Sequence, residues 1–185
     1  MYEIRWHGRG GQGAVTAATL LARAVVNEGR YAQAFAEFGP ERRGAPVVAF
    51  TRVDENPIYI RCNIYNPDVV VILNQALTSA VNVTEGLKED GSIIINMAKG
   101  PEEIAKTLNS NALVATVNAT QIAMEELGAP IVNTAMLGSV VKVTGLVKLE
   151  TIMAAVSERF KGSVGEKNVS AVLRAYNETQ TLRKR

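Results

Sequence analysis

Along residues 2–7 polar and apolar side chains alternate, with Glu3, Arg5 and His7 set against Ile4 and Trp6. This period of two predicts a strand with unlike faces. Behind it Val15, Ala18, Ala22, Val25 and Val26 recur at helical spacing, and Gly29 suits the C-terminal cap of that helix. Residues 31–36 predict a second strand. Residues 47–53 and 58–62 are both rich in β-formers and are separated by Asp54-Glu55-Asn56-Pro57, which predicts an antiparallel hairpin. Residues 69–73 are continuously apolar, as in a strand covered on both faces.

From there strands and helices alternate. A helix is expected over about 75–88 and a strand over 92–95 after the Asp90-Gly91 turn. Pro101 fits a first helical position, where Glu102 and Glu103 favour the positive end of the dipole. Residues 113–117 predict a strand, and Asn118 or Thr120 can cap the short helix that ends near Leu127-Gly128. Beyond Pro130 the pattern is helical, over about 131–143, 149–160 and 166–182. The expected fold is α/β: a three-layer, Rossmann-like α/β/α mixed sheet with an inserted antiparallel hairpin and a helical C-terminal segment.

The chain has 185 residues, 47% of them apolar. That suits a single domain over 1–185 that buries roughly 70% of the surface its unfolded chain would expose. The formal net charge is +2, the signs are well mixed, and only Arg183-Lys184-Arg185 forms a basic run. No basic face marks a nucleic-acid partner. Apolar runs are strand-sized, far below the ~20 residues of a membrane span, and no signal-peptide pattern opens the chain. A cytoplasmic protein without a membrane or nucleic-acid partner is expected. The single cysteine, Cys62, excludes a disulfide within the chain and any iron–sulfur cluster held by this chain alone, because such clusters take four ligands. His7 is the sole histidine. A structural zinc site or a Ser-His-Asp triad therefore has almost nothing to work with.

The candidate chemistry begins at Gly8-Arg9-Gly10-Gly11-Gln12-Gly13, between the first strand and a helix that opens on small residues. Gly8, Gly10 and Gly13 reproduce the G-x-G-x-x-G spacing of a loop that turns tightly, lets backbone approach closely and aims helix N–H groups at an anion. For NAD an acidic residue should close the second strand, and Glu37 lies at about that place; against it, Arg9 and Gln12 are long side chains in a loop that normally clears space for pyrophosphate. Arg42 and Arg43 follow Gly39-Pro40-Glu41 in a constrained loop. They read either as a fork for phosphate or carboxylate or as a surface ion pair with Glu37 or Glu41. Asn74, Gln75, Asn96 and Asn118 fall just past predicted strand ends, where open α/β sheets bind ligands; turn and capping roles compete, and capping is favoured for Asn118. His7 is read as structural, and Cys62 and Trp6 as core residues.

Four blocks together carry a resemblance over nearly the whole chain. They are Ile4-Arg5-Trp6-His7-Gly8-Arg9-Gly10-Gly11-Gln12-Gly13, Phe38-Gly39-Pro40-Glu41-Arg42-Arg43-Gly44-Ala45-Pro46, Asn66-Pro67-Asp68-Val69-Val70-Val71 and Asn133-Thr134-Ala135-Met136-Leu137-Gly138. The chain resembles the gamma subunits of 2-oxoacid:ferredoxin oxidoreductases, the pyruvate enzymes (pyruvate synthases) above all. The family pattern often has Gly-Gly where this chain has Gly44-Ala45.

The resemblance implies an enzyme of alpha, beta, gamma and delta subunits that converts pyruvate, coenzyme A and oxidised ferredoxin to acetyl-CoA, CO2 and reduced ferredoxin. Thiamine diphosphate, Mg and [4Fe-4S] clusters are then expected in the partner subunits. No cofactor is assigned to this chain, which is not catalytic by itself and which no metal residues mark. Gly8, Arg9, Gly10, Gly11, Gln12, Gly13, Arg42 and Arg43 become candidates for holding coenzyme A or for contacting a neighbouring subunit. A free-standing NAD- or flavin-dependent oxidoreductase domain and a nucleotide-sensing module are the competing readings.

Overall fold

The computed structural model describes residues 1–37, 44–107 and 112–183. Among these, strands β1 (Tyr2–Arg9), β2 (Tyr31–Glu37), β3 (Pro46–Asp54), β4 (Val69–Ile72), β5 (Ser92–Asn96), β6 (Leu113–Val117) and β7 (Gln180–Leu182) form one sheet in the order β2-β3-β1-β4-β5-β6-β7. The helices are α1 (Ala14–Asn27), α2 (Leu77–Ala80), α3 (Pro101–Thr107), α4 (Ala119–Leu127), α5 (Asn133–Thr144), α6 (Leu149–Arg159) and α7 (Gly162–Glu178). Strands β1, β4, β5 and β6 run parallel, whereas β3 is antiparallel to both β1 and β2, and β7 is antiparallel to β6. The expected three-layer mixed sheet is therefore present.

Two cores flank the sheet. Val69 and Val71 join Ile4, Trp6 and residues of α1, α4, α5, α6 and α7 on one face, and Val70 and Ile72 join Leu77 of α2 and Ile104 of α3 on the other. Covering on both faces explains why β4 reads as an unbroken apolar run. Trp6 is fully buried, as expected, and its indole N–H donates to Thr51 Oγ1 at 3.0 Å. Where α5 crosses α7, a Cβ on Gly138 would overlap the Val172 carbonyl, so glycine there sets how closely the helices approach.

Four expectations need correction. The antiparallel hairpin is β2–β3, and residues 58–62 are not a strand; both edges of β3 are taken, one by β1 and one by β2, so no edge remains for them. The helix expected over 75–88 shrinks to Leu77–Ala80. Thr78, Ser79, Asn82 and Thr84 are weak helix formers, and the chain instead turns the Val83 and Glu85 carbonyls to the Arg5 guanidinium. The last helix starts at Gly162 and ends at Glu178, after which Thr179 turns extended and β7 pairs with the free edge of β6. Cys62, expected in the core, is exposed.

Residues 55–67 lie as an irregular strap near the polar face of β1 and β3. Arg52, 1% exposed, anchors it: Nη2 donates to the Cys62 and Asn63 carbonyls at 2.8 and 3.3 Å, and Nη1 to Ile60 at 3.5 Å. Its Nε pairs with Glu3 Oε1 at 2.8 Å, and the guanidinium lies over the Phe35 ring. Replacing Arg52 with Met is expected to lower the unfolding free energy by about 3 kcal/mol, since Glu3 and the strap carbonyls lose a buried cation. Urea denaturation reads this directly, and a loss well under about 1 kcal/mol would show that the strap is held elsewhere.

Candidate functional site

Strand β1 runs two residues further than expected, pairing Gly8 with Val47 and Arg9 with Pro46. Gly8 is thus a strand residue, and the tight turn is made later. Gly11 and Gly13 take the left-handed conformation, with φ of 92° and 79°. The first glycine of the G-x-G-x-x-G spacing therefore does not turn the chain, whereas Gly11, outside that spacing, does. The loop is tied down by its own groups. Gly10 N–H donates to Ala45 O at 2.9 Å, Gln12 N–H to Arg9 O at 3.0 Å, and Gln12 Oε1 accepts from Arg9 N–H at 2.8 Å. The Arg9 side chain reaches back to Gly44 O at 3.1 Å. Left without an acceptor among the described residues are the N–H groups of Gly11, Gly13 and Ala14, at the positive end of α1.

Gly10, Gly11 and Gln12 form one wall of a 640 Å³ cleft, with Asn74, Gln75, Asn96, Asn118 and Thr120 on the others. The cleft lies beyond the C-terminal ends of the parallel strands. Connections leave β1 toward one face and one side of the sheet and leave β4 toward the other, so the cleft sits at a topological switch point. The polar crevice expected from the sequence is assembled, but most of its amides are already engaged. Asn96 Nδ2 donates to Leu73 O and Thr120 Oγ1 at 3.0 and 2.9 Å, and its Oδ1 accepts from Thr120 N–H at 3.1 Å. It thereby locks the end of β4 to the start of α4. Asn118 caps α4 through Gln121 N–H, and Asn74 Oδ1 accepts from Ala76 N–H. No charged side chain lines the cleft among the described residues.

Gly11 and Gly13 also border a second cavity of 390 Å³, lined by Thr16, Asn133, Phe160, Arg159 and Lys167. Sequence reasoning missed Arg159 and Lys167, which lie about 150 positions from the loop and fall within ordinary helical patterns. Arg42 and Arg43 lie outside the described residues. Glu37 closes β2 as expected, yet β3 stands between β2 and β1. That sets Glu37 two strand spacings, roughly 10 Å, from β1, where a dinucleotide fold needs one. The ribose partner is displaced from the glycine loop.

His7 is 7% exposed and accepts at Nε2 from Arg5 Nε–H at 3.1 Å. Burial first, and the Arg5 charge second, pull its pKa down to about 4. The imidazole is neutral at ordinary pH, as suits a structural histidine. Among the described residues, no group of three or more His, Cys, Asp or Glu side chains could hold a metal ion, and no helix is long and apolar enough to cross a membrane.

Comparisons with known proteins agree with this architecture. The family described as pyruvate ferredoxin/flavodoxin oxidoreductase matches residues 3–178. The common gamma subunit of the pyruvate/ketoisovalerate oxidoreductases of Pyrococcus abyssi is 56% identical over 97% of this chain and 98% of its own. Pyruvate synthase subunit PorC of Methanocaldococcus jannaschii is 52% identical over 96% and 97%. The crystal structure of the pyruvate oxidoreductase subunit PORC from Thermotoga maritima superposes with a TM-score of 0.88 at 41% identity, covering 97% of each chain.

Two outcomes test this geometry. Because the folded-state pKa of His7 is depressed, the unfolded chain binds the proton first, and stability falls as pH drops from 6.5 toward 4. The loss should reach about 3 kcal/mol, and His7→Gln should flatten the slope in urea titrations across that window. Gly11→Ala should cost about 1 kcal/mol for the left-handed backbone alone, since a Cβ there meets nothing. Gly13→Ala adds an overlap with the Asn133 amide and should cost at least about 1 kcal/mol more; equal losses would contradict the packing described.

Proposed function

The chain belongs to the pyruvate ferredoxin/flavodoxin oxidoreductase family, and from this we propose that it serves as the gamma-type, non-redox subunit of a multisubunit 2-oxoacid:ferredoxin oxidoreductase, supporting assembly and admitting coenzyme A at the glycine loop. The enzyme takes pyruvate, coenzyme A and oxidised ferredoxin to acetyl-CoA, CO2 and reduced ferredoxin. Thiamine diphosphate with Mg and the [4Fe-4S] clusters belong to the alpha, beta and delta subunits, and electrons leave through ferredoxin. One cysteine in this chain does not fit a cluster.

The observation that carries the reading is the end-to-end match to a subunit that two oxidoreductases of different 2-oxoacids hold in common. Such a subunit has no part in choosing the acid. The uncharged cleft supports the same division of labour, because it offers no acid or base for decarboxylation.

Coenzyme A fits the donor set at the loop. Its phosphates would meet the free N–H groups of Gly11, Gly13 and Ala14, with Gln12 beside them, at the positive end of α1. Arg159 and Lys167, across the cavity that Gly11 and Gly13 share, supply the charge that the cleft lacks. Arg42 and Arg43, which directly precede Gly44 in the sequence, are assigned to the same task. Gly8 and Gly10 position the backbone, and Arg9 holds the loop to Gly44. When bound, coenzyme A supplies the thiol that accepts the acyl group; this chain's part is to hold and orient the anionic end.

Affinity capture of the tagged chain at native expression is expected to bring down chains that carry iron and thiamine diphosphate. Recovery of a lone chain loaded with NAD or flavin would overturn the subunit reading. In the assembled enzyme, Arg42→Ala with Arg43→Ala should raise KM for coenzyme A by roughly tenfold, about 1.4 kcal/mol of lost binding. An unchanged KM together with an unchanged assembly yield would remove both arginines from the account.

A further inference from the structure

Asn133 opens α5 and is only 5% exposed, yet it lines the 390 Å³ cavity that Gly11 and Gly13 border. We propose that it is a binding residue for the phosphate end of the ligand, its amide Nδ2 donating to the same anion that the Gly13 and Ala14 N–H groups meet. The inference rests on the reading above, which brings the anionic end of coenzyme A to this loop, and adds to it a side chain outside the loop.

The first observation is an unspent amide. Asn133 Oδ1 accepts from Thr134 N–H at 2.9 Å, which fixes the orientation of the carboxamide and makes Nδ2 the other arm. Nδ2 donates to no described residue. Its polar neighbours are already satisfied: Thr134 Oγ1 donates to Asn168 Oδ1 at 2.9 Å, and Asn168 Nδ2 to Val164 O at 2.8 Å. No described side-chain nitrogen or oxygen is buried without a partner, so Nδ2 reaches the open space of the cavity, where water meets it until a ligand arrives. The amide also lies against Gly13, so closely that a Cβ there would overlap Nδ2. Gly13 caps the start of α1 in the left-handed conformation. The side-chain donor and the free N–H groups of the helix start therefore stand side by side at one wall.

The second is charge, because an amide open to water does not by itself choose an anion. Arg159 and Lys167 line this cavity, and among the described residues no carboxylate does. Glu158, next to Arg159 in the sequence, is turned to Arg23 at 2.7 Å. The Arg159 guanidinium is held over the Phe160 ring, 5.2 Å from its centroid, which limits its freedom before a ligand binds. Two cations, the positive end of α1 and an amide donor thus act on one space with no opposing acid, and that combination selects a phosphate over a neutral group. Leu127, Ile131 and Val164 supply apolar walls beside the donors, so the site suits a phosphate carried on an organic body.

Asn133→Asp separates a binding role from a structural one. It keeps the size of the side chain and the oxygen that accepts from Thr134 N–H, and a carboxylate in the first turn of α5 suits the helix dipole. At the cavity it replaces the donor by a built-in anion that competes for the Gly13 and Ala14 N–H groups. ADP, which carries the diphosphate of coenzyme A, should bind the full-length chain saturably in calorimetric titrations, and adenosine at least roughly tenfold more weakly. Asn133→Asp should weaken ADP at least roughly tenfold and leave the urea midpoint at or above that of the unaltered chain. ADP binding that Asn133→Asp leaves unchanged would overturn the role of Asn133 and leave the loop reading standing, whereas no saturable binding of ADP to the unaltered chain would overturn both. Where Asn133→Asp fails to fold, the side-chain amide protons of Asn133 in the unaltered chain decide: ADP should shift their NMR signals saturably, and a signal that stays in place while ADP binds would remove Asn133 from the site.

Discussion

An irregular segment laid against a sheet brings carbonyls with no ladder to join, and something must donate to them. Here two buried arginines do so. Arg52 serves the strap at Ile60, Cys62 and Asn63, and Arg5 serves Val83 and Glu85. Guanidinium suits the task because its planar fork reaches several acceptors at once and keeps its charge when buried. The alternating Glu3, Arg5 and His7 of β1 then face the strap and the α2 region, neither of which offers a broad apolar surface. At β1 and β3 this side of the sheet is polar inside, whereas beside β4 and β5 the same face carries an apolar core.

The second constraint is the place of β3. Entering antiparallel between β1 and β2, it uses both of their inner edges and fixes the register of all three strands. Pairing to the very end of β1 pulls Gly8 and Arg9 into the sheet, which moves the turn to Gly11 and Gly13. The same insertion carries Glu37 one strand away from where a ribose would need it. A single antiparallel strand thus converts a nucleotide-type opening into a loop whose remaining free groups are main-chain N–H donors. The free main-chain donors at the start of α1 survive the change, and the placement of Glu37 beside the loop does not.

Periodicity made most of the framework legible. The parallel strands β4, β5 and β6, helix α1, the Asn118 cap and the glycine ends of α1 and α4 all follow from local rules that the tertiary structure leaves intact. The sequence misleads where a distant partner decides. Residues 58–62 have strand propensity but no edge to pair with. Residues 75–88 read as helix, but Arg5 claims their carbonyls. Residues 180–182 continue a helical pattern, but β6 offers a free edge. Cys62 looks like a core residue, yet it lies exposed on the strap, where its carbonyl and Sγ both accept from Arg52 Nη2. At the candidate site the glycine loop and the asparagines were visible from spacing. The nearness of Arg159 and Lys167 was not, because only folding brings α6 and α7 beside the loop.

The site's composition bears on how labour is divided in the enzyme. A cleft at the switch point of a parallel sheet, lined by engaged asparagines and the free Gly11 N–H, offers donors but no acid or base to move protons. Its polar side chains are mostly spent on holding strand ends to helix starts, which makes the walls rigid and leaves little chance of a chemical role. Rigid walls with main-chain donors suit an anion that must be held in one orientation while its distant end reacts elsewhere. With coenzyme A held as proposed above, a carrier whose thiol lies far from its phosphates would need only its anionic end fixed by this chain, and the reacting centre could lie in another subunit.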